Sequence, residues 1–162
     1  MKKHFKLTIA LFFVLLSGCA TNSMIEVVNP DALGDDIKVA SLEVKNATGQ
    51  VFDIDIESML EEGLLAELDE QNIFDKTEGV FNLSVSIIQY EKGSAMARWI
   101  MPGMGATILS VEASLINTDG VTVAQSQATK SIGAGGGYTI GAWKTVFQDI
   151  SKILVADLIS LN

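Results

Sequence analysis

The chain has one histidine and one cysteine, and both stand near its amino terminus, as His4 and Cys19. Beyond Cys19 neither residue type recurs. That remainder therefore holds no Ser–His–Asp triad, no Cys–His nucleophile pair and no His/Cys zinc site. A lone cysteine also forbids a disulfide within the chain. Carboxylates remain for acid/base work or for a hard cation, but no segment has the Asp-x-Asp-x-Asp-Gly spacing of a calcium loop. Asp53-Ile-Asp55-Ile-Glu57 comes nearest. It lacks the glycine and the distal glutamate and runs into an amphipathic segment, so its acids belong to a helix start. Neither a metal nor a cofactor is expected.

What is present at the amino terminus is an export signal. Lys2, Lys3, His4 and Lys6 make a basic start, residues 7–16 are apolar except for Thr8, and Ser17-Gly18 are small. The apolar run is shorter than the ~20 residues that cross a bilayer. It ends in Leu16-Ser17-Gly18-Cys19, which resembles the lipobox of bacterial lipoproteins. The resemblance implies cleavage between Gly18 and Cys19, a diacylglyceryl group on the Cys19 thiol and often a further acyl chain, such as palmitate, on the freed amine. At ~0.8 kcal/mol per buried methylene, two chains hold a protein stably where one does not. The competing readings are a free thiol beside an ordinary cleaved signal, or an uncleaved anchor. Ala20, rather than an aspartate, follows the cysteine; that sorting pattern points to the outer membrane, facing the periplasm.

The signal carries three of the eleven basic residues and none of the twenty acids, which leaves eight against twenty and a net charge of −12 from Cys19 on. A surface of that sign argues against nucleic acid, and against gripping anionic head groups by a basic patch. Its plain role is to keep the domain soluble. The expected organisation is a signal over 1–18, a lipidated tether over 19–35 broken by Asn29-Pro30-Asp31, and a single α/β periplasmic domain over 36–162.

Within the domain, residues 37–44 alternate as a strand, with Asn46-Ala47-Thr48-Gly49 as a turn. Ile56, Met59, Leu60, Gly63, Leu64 and Leu68 then recur at helical spacing, with Asp53 or Asp55 as cap. Gly63 on the apolar side suggests a close approach to the sheet, at ~1 kcal/mol of helix propensity. Phe81, Leu83, Val85 and Ile87 alternate as a second strand, and Leu109, Val111, Ala113 and Leu115 as a third. Asp119-Gly120 marks a two-residue hairpin loop that returns as a strand over 121–131. Trp143, Val146, Phe147, Ile150, Ile153, Leu154 and Leu158 give a last helix its apolar face. The predicted fold is two-layer α+β: about four strands, mixed or mainly antiparallel, with two helices on one face, in the order β-α-β-β-β-α.

Two loops hold the unusual residues. One spans 93–105 and carries Met96, Arg98, Trp99, Ile100, Met101, Gly103, Met104 and Gly105; the other holds Gly133, Gly135, Gly136 and Gly137 before Tyr138. Counting back from a Thr118–Val121 pair sets Gly105 opposite roughly Ala134, so both loops fall at one end of the sheet. Three roles compete for them: folding back to cap the core, a contact surface for an envelope protein or a second copy, and an anion or small-ligand site at the start of the last helix. The glycine run has neither a P-loop ending nor a dinucleotide-binding context.

Arg98, Pro102-Gly103-Met104-Gly105-Ala106, an alternating strand, Asp119-Gly120, a second strand and a glycine cluster before a terminal helix resemble an uncharacterised domain-of-unknown-function family of bacterial lipoproteins. In that family the usual run is Gly-x-Gly-x-Ala, whereas here Ala106 directly follows Gly105. More distantly, the order of elements is similar to the α/β domains of envelope assembly lipoproteins such as the curli-secretion lipoprotein and the TolB amino-terminal domain. The resemblance implies a fold and an address but no reaction. The expectation is a non-enzymatic accessory, assembly or binding module of the envelope, held to the membrane through Cys19. The alternatives are a lipoprotein that binds a small ligand or glycan through its glycine loops, and a carboxylate-based glycan hydrolase, which needs two acids opposed across a cleft.

Overall fold

A computed structural model describes residues 19–34, 36–100, 104–133 and 141–161, with the side chains of Cys19, Ala20, Ala95, Arg98 and Trp99 left aside. Five strands form one mixed sheet. They are β1 (Cys19–Val27), β2 (Val39–Asn46), β3 (Phe81–Glu91), β4 (Thr107–Asn117) and β5 (Thr122–Ile132), in the spatial order β1-β5-β4-β3-β2. Among the described residues three α-helices interleave with them, α1 (Ile56–Glu70), a short α2 (Ala95–Ile100) and α3 (Ala142–Ile159), along with a 3-10 turn at Pro30–Ala32. The α+β class holds, with five strands rather than about four and with α2 added inside the loop before β4. Among the described residues no helix is long and apolar enough to cross a membrane.

The extra strand is β1, and it changes the reading of the amino terminus. Most of the stretch expected to be a tether is paired antiparallel with β5, from Cys19 opposite Ile132 to Val27 opposite Ala124. Its polar start at Thr21, Asn22 and Ser23 and its apolar residues at 24, 25 and 27, with Met24 68% exposed, show little of the apolar alternation that marks a half-buried strand. An edge strand needs little: Ser23 hydrogen-bonds the Asp157 carboxylate on α3, and Ser126 of β5 donates to the other oxygen of the same group at 2.6 Å.

The remaining strands follow their apolar patterns, with bulges where the pattern changes phase. Ile37 and Val39 are buried, then Leu42 and Val44 pack against the core. The β2–β3 pairing is parallel and slips between Val39 and Ser41, which lets both sets face the same way. Gly79 lies in this corner, where a Cβ would stand 2.4 Å from Asp75 O and 2.5 Å from Ala40 N. A second bulge, between Ile87 and Gln89, moves burial from Ile87 to Tyr90.

The hairpin loop departs from the two-residue expectation. Asn117 N donates to Val121 O, Gly120 N donates to Asn117 O and Gly120 has φ of 78°, so Thr118, Asp119 and Gly120 form a three-residue loop. Asn117 Oδ1 also accepts from the amides of Asp119 and Val121. The counted register still emerges, with Thr107 opposite Ile132, because the pairing jumps from Thr122 to Ala124 between Ile116 and Leu115. The longer loop and the bulge cancel.

Both long helices cover one face of the sheet. Asp55 caps α1 by accepting from the Ser58 amide at 2.9 Å, and Ile56, Leu60, Leu64 and Leu68 enter the core. From α3, Val146, Phe147, Ile150, Leu154 and Leu158 do the same, while Trp143 and Ile153 are only half-buried. Gly63 serves the contact between helices, not a contact with the sheet. A Cβ there would lie 2.7 Å from Ser151 Oγ, and that hydroxyl donates to Phe147 O at 2.9 Å within α3.

Gly63→Ala gains ~1 kcal/mol of helix propensity but displaces a buried hydroxyl from its partner. The expected outcome in urea unfolding is a net loss of stability, recovered to wild type or above by adding Ser151→Ala. Gly79→Ala, whose Cβ meets backbone instead, has no such rescue and lowers the unfolding midpoint further.

Candidate functional site

One end of the sheet gathers the chain's unusual features. Here β1 begins at Cys19, β5 ends at Ile132 and β4 begins at Thr107, in a single row across three strands. The loops at 47–55 and 92–106 leave the same end, and α3 starts there.

The 92–106 loop is closed at its neck by two hydrogen bonds, one of them between backbone groups. Ser94 N donates to Gly105 O at 2.9 Å, and Thr107 Oγ1 donates to Lys92 O at 2.7 Å. Gly93 and Gly105 both have positive φ, 67° and 66°. Side chains are also excluded sterically: a Cβ on Gly93 would approach Ala106 O to 2.5 Å, and one on Gly105 would approach the Ala97 side chain to 2.7 Å. Between these glycines the loop projects α2, whose first turn is capped by Ser94 Oγ accepting from Ala97 N.

Of the residues picked from sequence, Met96, Ile100 and Met104 stand 74, 71 and 53 % exposed. For these three, folding back over the core is ruled out. Arg98 and Trp99 lie in α2, and nothing is assigned to their side chains; Met101 and Gly103 fall outside the described residues, as do Gly135, Gly136, Gly137 and Tyr138. The expected meeting of the two loops holds where both are described: a Cβ on Gly133 would sit 4.0 Å from that of Ala106.

Four features of this end were not anticipated from sequence. Val51, in the loop after β2, is fully exposed. Asp53 forms an ion pair with Lys92 at 2.6 Å, which ties the 47–55 loop to the base of the 92–106 loop. The Lys92 hydrogen bond, aided by its charge, holds the Asp53 carboxyl below the usual range. Lys92 also lies over the Trp143 ring, 5.3 Å from its centroid, with Lys144 at 5.0 Å. Beneath them Tyr90 contacts Phe52 edge-on at 5.2 Å and Phe147 at 5.4 Å. A signal for Val51 existed: a large apolar residue in a Gly-Gln-Val-Phe-Asp turn, outside any periodic run.

Elsewhere, a groove of 540 Å³ runs between α1 and α3. Met59, Gly63 and Phe147 contribute apolar surface, with Glu62, Glu67 and Glu70 on the α1 side and Lys144 and Lys152 on the α3 side. Among the described residues no group of three or more His, Cys, Asp or Glu side chains is placed to hold a metal ion.

With this geometry in hand, comparison with known proteins identifies the class. Residues 26–136 match the family described as domain of unknown function DUF4410, and the chain belongs to that family. The family expectation from sequence is met. Among solved structures, the chain is similar to the PelC dodecamer from Paraburkholderia phytofirmans, at 15% identity and a TM-score of 0.55, over 86% of this chain and 96% of that one. It is similar also to a Xanthomonas campestris protein of family DUF330, at 11% identity and a TM-score of 0.51, over 82% and 89% of the two chains. These likenesses establish a shared fold. No curated protein matches the sequence.

The Tyr90 hydroxyl is buried and finds no hydrogen-bond partner among the described residues. Burial, with the negative charge of Asp53 second, pushes its pKa from 10.0 to about 12. Tyr90→Phe therefore leaves stability at neutral pH unchanged or raised, because an unpaired buried hydroxyl costs about 1–3 kcal/mol. The alkaline limb separates the two proteins. Unfolding lets the phenol ionise near pH 10, so wild type loses stability relative to Tyr90→Phe as pH rises from 10 through about 12. Denaturation midpoints of wild type should fall more steeply than those of Tyr90→Phe between pH 10 and 12.

Proposed function

We propose that this chain is an outer-membrane lipoprotein, anchored through Cys19, whose single domain serves in the periplasm as a non-catalytic accessory, assembly or binding module of the cell envelope. The observation that carries the reading is the Leu16-Ser17-Gly18-Cys19 run at the end of a basic, then apolar leader, with Cys19 itself paired with Ile132 at the edge of the sheet. Cleavage before Cys19 would keep every described pair of β1, whereas cleavage a few residues later would remove pairs from that edge.

The non-catalytic part of the reading rests on the lack of histidine and cysteine beyond Cys19 and on acids that follow helix starts and wet faces. The assembly part draws on the fold shared with PelC, which was crystallised as a dodecamer. Self-association is accordingly the first form of assembly to test, with a separate envelope protein as the other.

Cells expressing the wild-type chain should yield a membrane-bound form that floats with outer-membrane vesicles. Intact mass should place the amino terminus at Cys19, carrying a diacylglyceryl group. Cys19→Ser should appear as unprocessed precursor or in the soluble fraction. An unacylated wild-type protein starting elsewhere would overturn the anchor. Native mass measurement of the extracted lipoprotein then reads assembly directly: a monomer that recovers no second envelope protein on in-cell crosslinking would remove the assembly role.

A further inference from the structure

The three most exposed large apolar side chains among the described residues are Val51, Met96 and Ile100, and all three lie at the end of the sheet where β1 begins. Met104 is half exposed at the same end. Single exposed apolar residues are common and need no explanation. Their collection beside Cys19 is the informative point. Met96 and Ile100 are four apart on α2 and so share a face, and the glycine neck described above holds α2 out from the sheet.

We infer that this apolar tip lies in the head-group region of the same bilayer that holds Cys19, so that the domain stands end-on on the membrane. The inference rests on the reading of Cys19 as the lipidated residue. Given that reading, there is no slack. Strand β1 starts at the anchor, and the row Cys19–Ile132–Thr107 places it two strand spacings, about 10 Å, from the base of the 92–106 loop. A diacylglyceryl group seated in the bilayer therefore brings the tip to the surface.

Charge points the same way. Glu67, Asp69, Glu70, Asp75, Glu78 and Asp119 lie at the opposite end, in the last turn of α1 and in the turns before β3 and between β4 and β5. The tip end carries fewer acids, Asp53, Asp55, Glu57 and Glu91, of which Asp53 is paired with Lys92, and Lys92 and Lys144 flank the half-buried Trp143; the six acids of the far end have Lys38 and Lys76 beside them. An anionic leaflet attracts basic groups and repels acidic ones within a Debye length, which favours this end down and the acidic end away. Tryptophan with lysine neighbours also suits the interface, where an apolar ring meets wet charges. A second copy is the weaker occupant. Two copies anchored in one leaflet both direct their tips at the membrane, so contact between them falls to their sides.

The test uses the full lipoprotein. With the Cys19 thiol acylated, a cysteine introduced at position 51, 96 or 100 is the sole labelling site, and positions 80 and 121 at the far end serve as controls. Nitroxide-labelled proteins are reconstituted into phosphatidylethanolamine–phosphatidylglycerol vesicles, and collision with oxygen is compared with collision with a soluble nickel chelate. Labels at 51, 96 and 100 should favour oxygen, and labels at 80 and 121 nickel. Nickel-accessible tip labels on protein that still floats with the vesicles would sink the inference while sparing the anchor. Dipolar coupling between tip labels of neighbouring copies would replace the membrane by a second copy. An unmodified Cys19 thiol in the intact mass would remove the anchor, and the inference with it.

Discussion

A five-stranded sheet with one face in the core needs cover across its full width, and here two helices provide it. The constraint is met by letting α1 and α3 come close, with Gly63 facing Ser151. Removing a side chain at that point costs helix propensity and gains a continuous apolar layer from Ile56 to Leu158. Everything at the sheet ends follows from this arrangement. Because α1 and α3 begin at the same end, the 47–55 loop that leads into α1 and the 92–106 loop are gathered beside the start of α3 and the start of β1.

That end is built to hold its shape. The backbone closure at Ser94 and Gly105, the Lys92–Asp53 pair and the aromatic group of Phe52, Tyr90 and Phe147 join three separate segments. The ion pair is exposed and contributes modestly on its own. Beneath it Tyr90 and Phe147 are buried and Phe52 half-buried, and the Tyr90 hydroxyl has no hydrogen-bond partner among the described residues. The apolar residues of the tip therefore stand on a base fastened at several points.

Much of this was legible in the sequence, for identifiable reasons. Strands with a buried face announce themselves by alternation, as at Phe81, Leu83, Val85 and Ile87, and α1 and α3 by their 3.6-residue period. The Met- and Gly-rich 93–105 stretch stood out as unusual, and the glycines that bound it, Gly93 and Gly105, take positive φ. What escaped was whatever leaves no periodic trace. Strand β1 is an edge whose side chains are mostly wet, so Thr21, Asn22 and Ser23 look like a tether. The bulges at Ala40 and Val123 disguise a phase change as a single strand. The Lys92–Asp53 pair joins residues far apart in the chain, and nothing local hints at it. The hairpin register came out right only because two deviations compensated, which makes agreement on register a weaker test than agreement on the loop itself.

The pairing of β1 along its whole length has a mechanical consequence. If the bilayer holds Cys19, any tug on the domain reaches the fold along the axis of β1. The hydrogen bonds to β5 run across that axis, from the Cys19–Ile132 pair to Val27–Ala124, and so bear the load together, in shear. An anchor attached at the side of the sheet would break them one at a time, as a zipper opens. The Asp157 carboxylate, bonded to Ser23 and Ser126 at once, pins the middle of the loaded strand to α3. A domain fastened in this way resists traction from its membrane best in the direction in which traction comes.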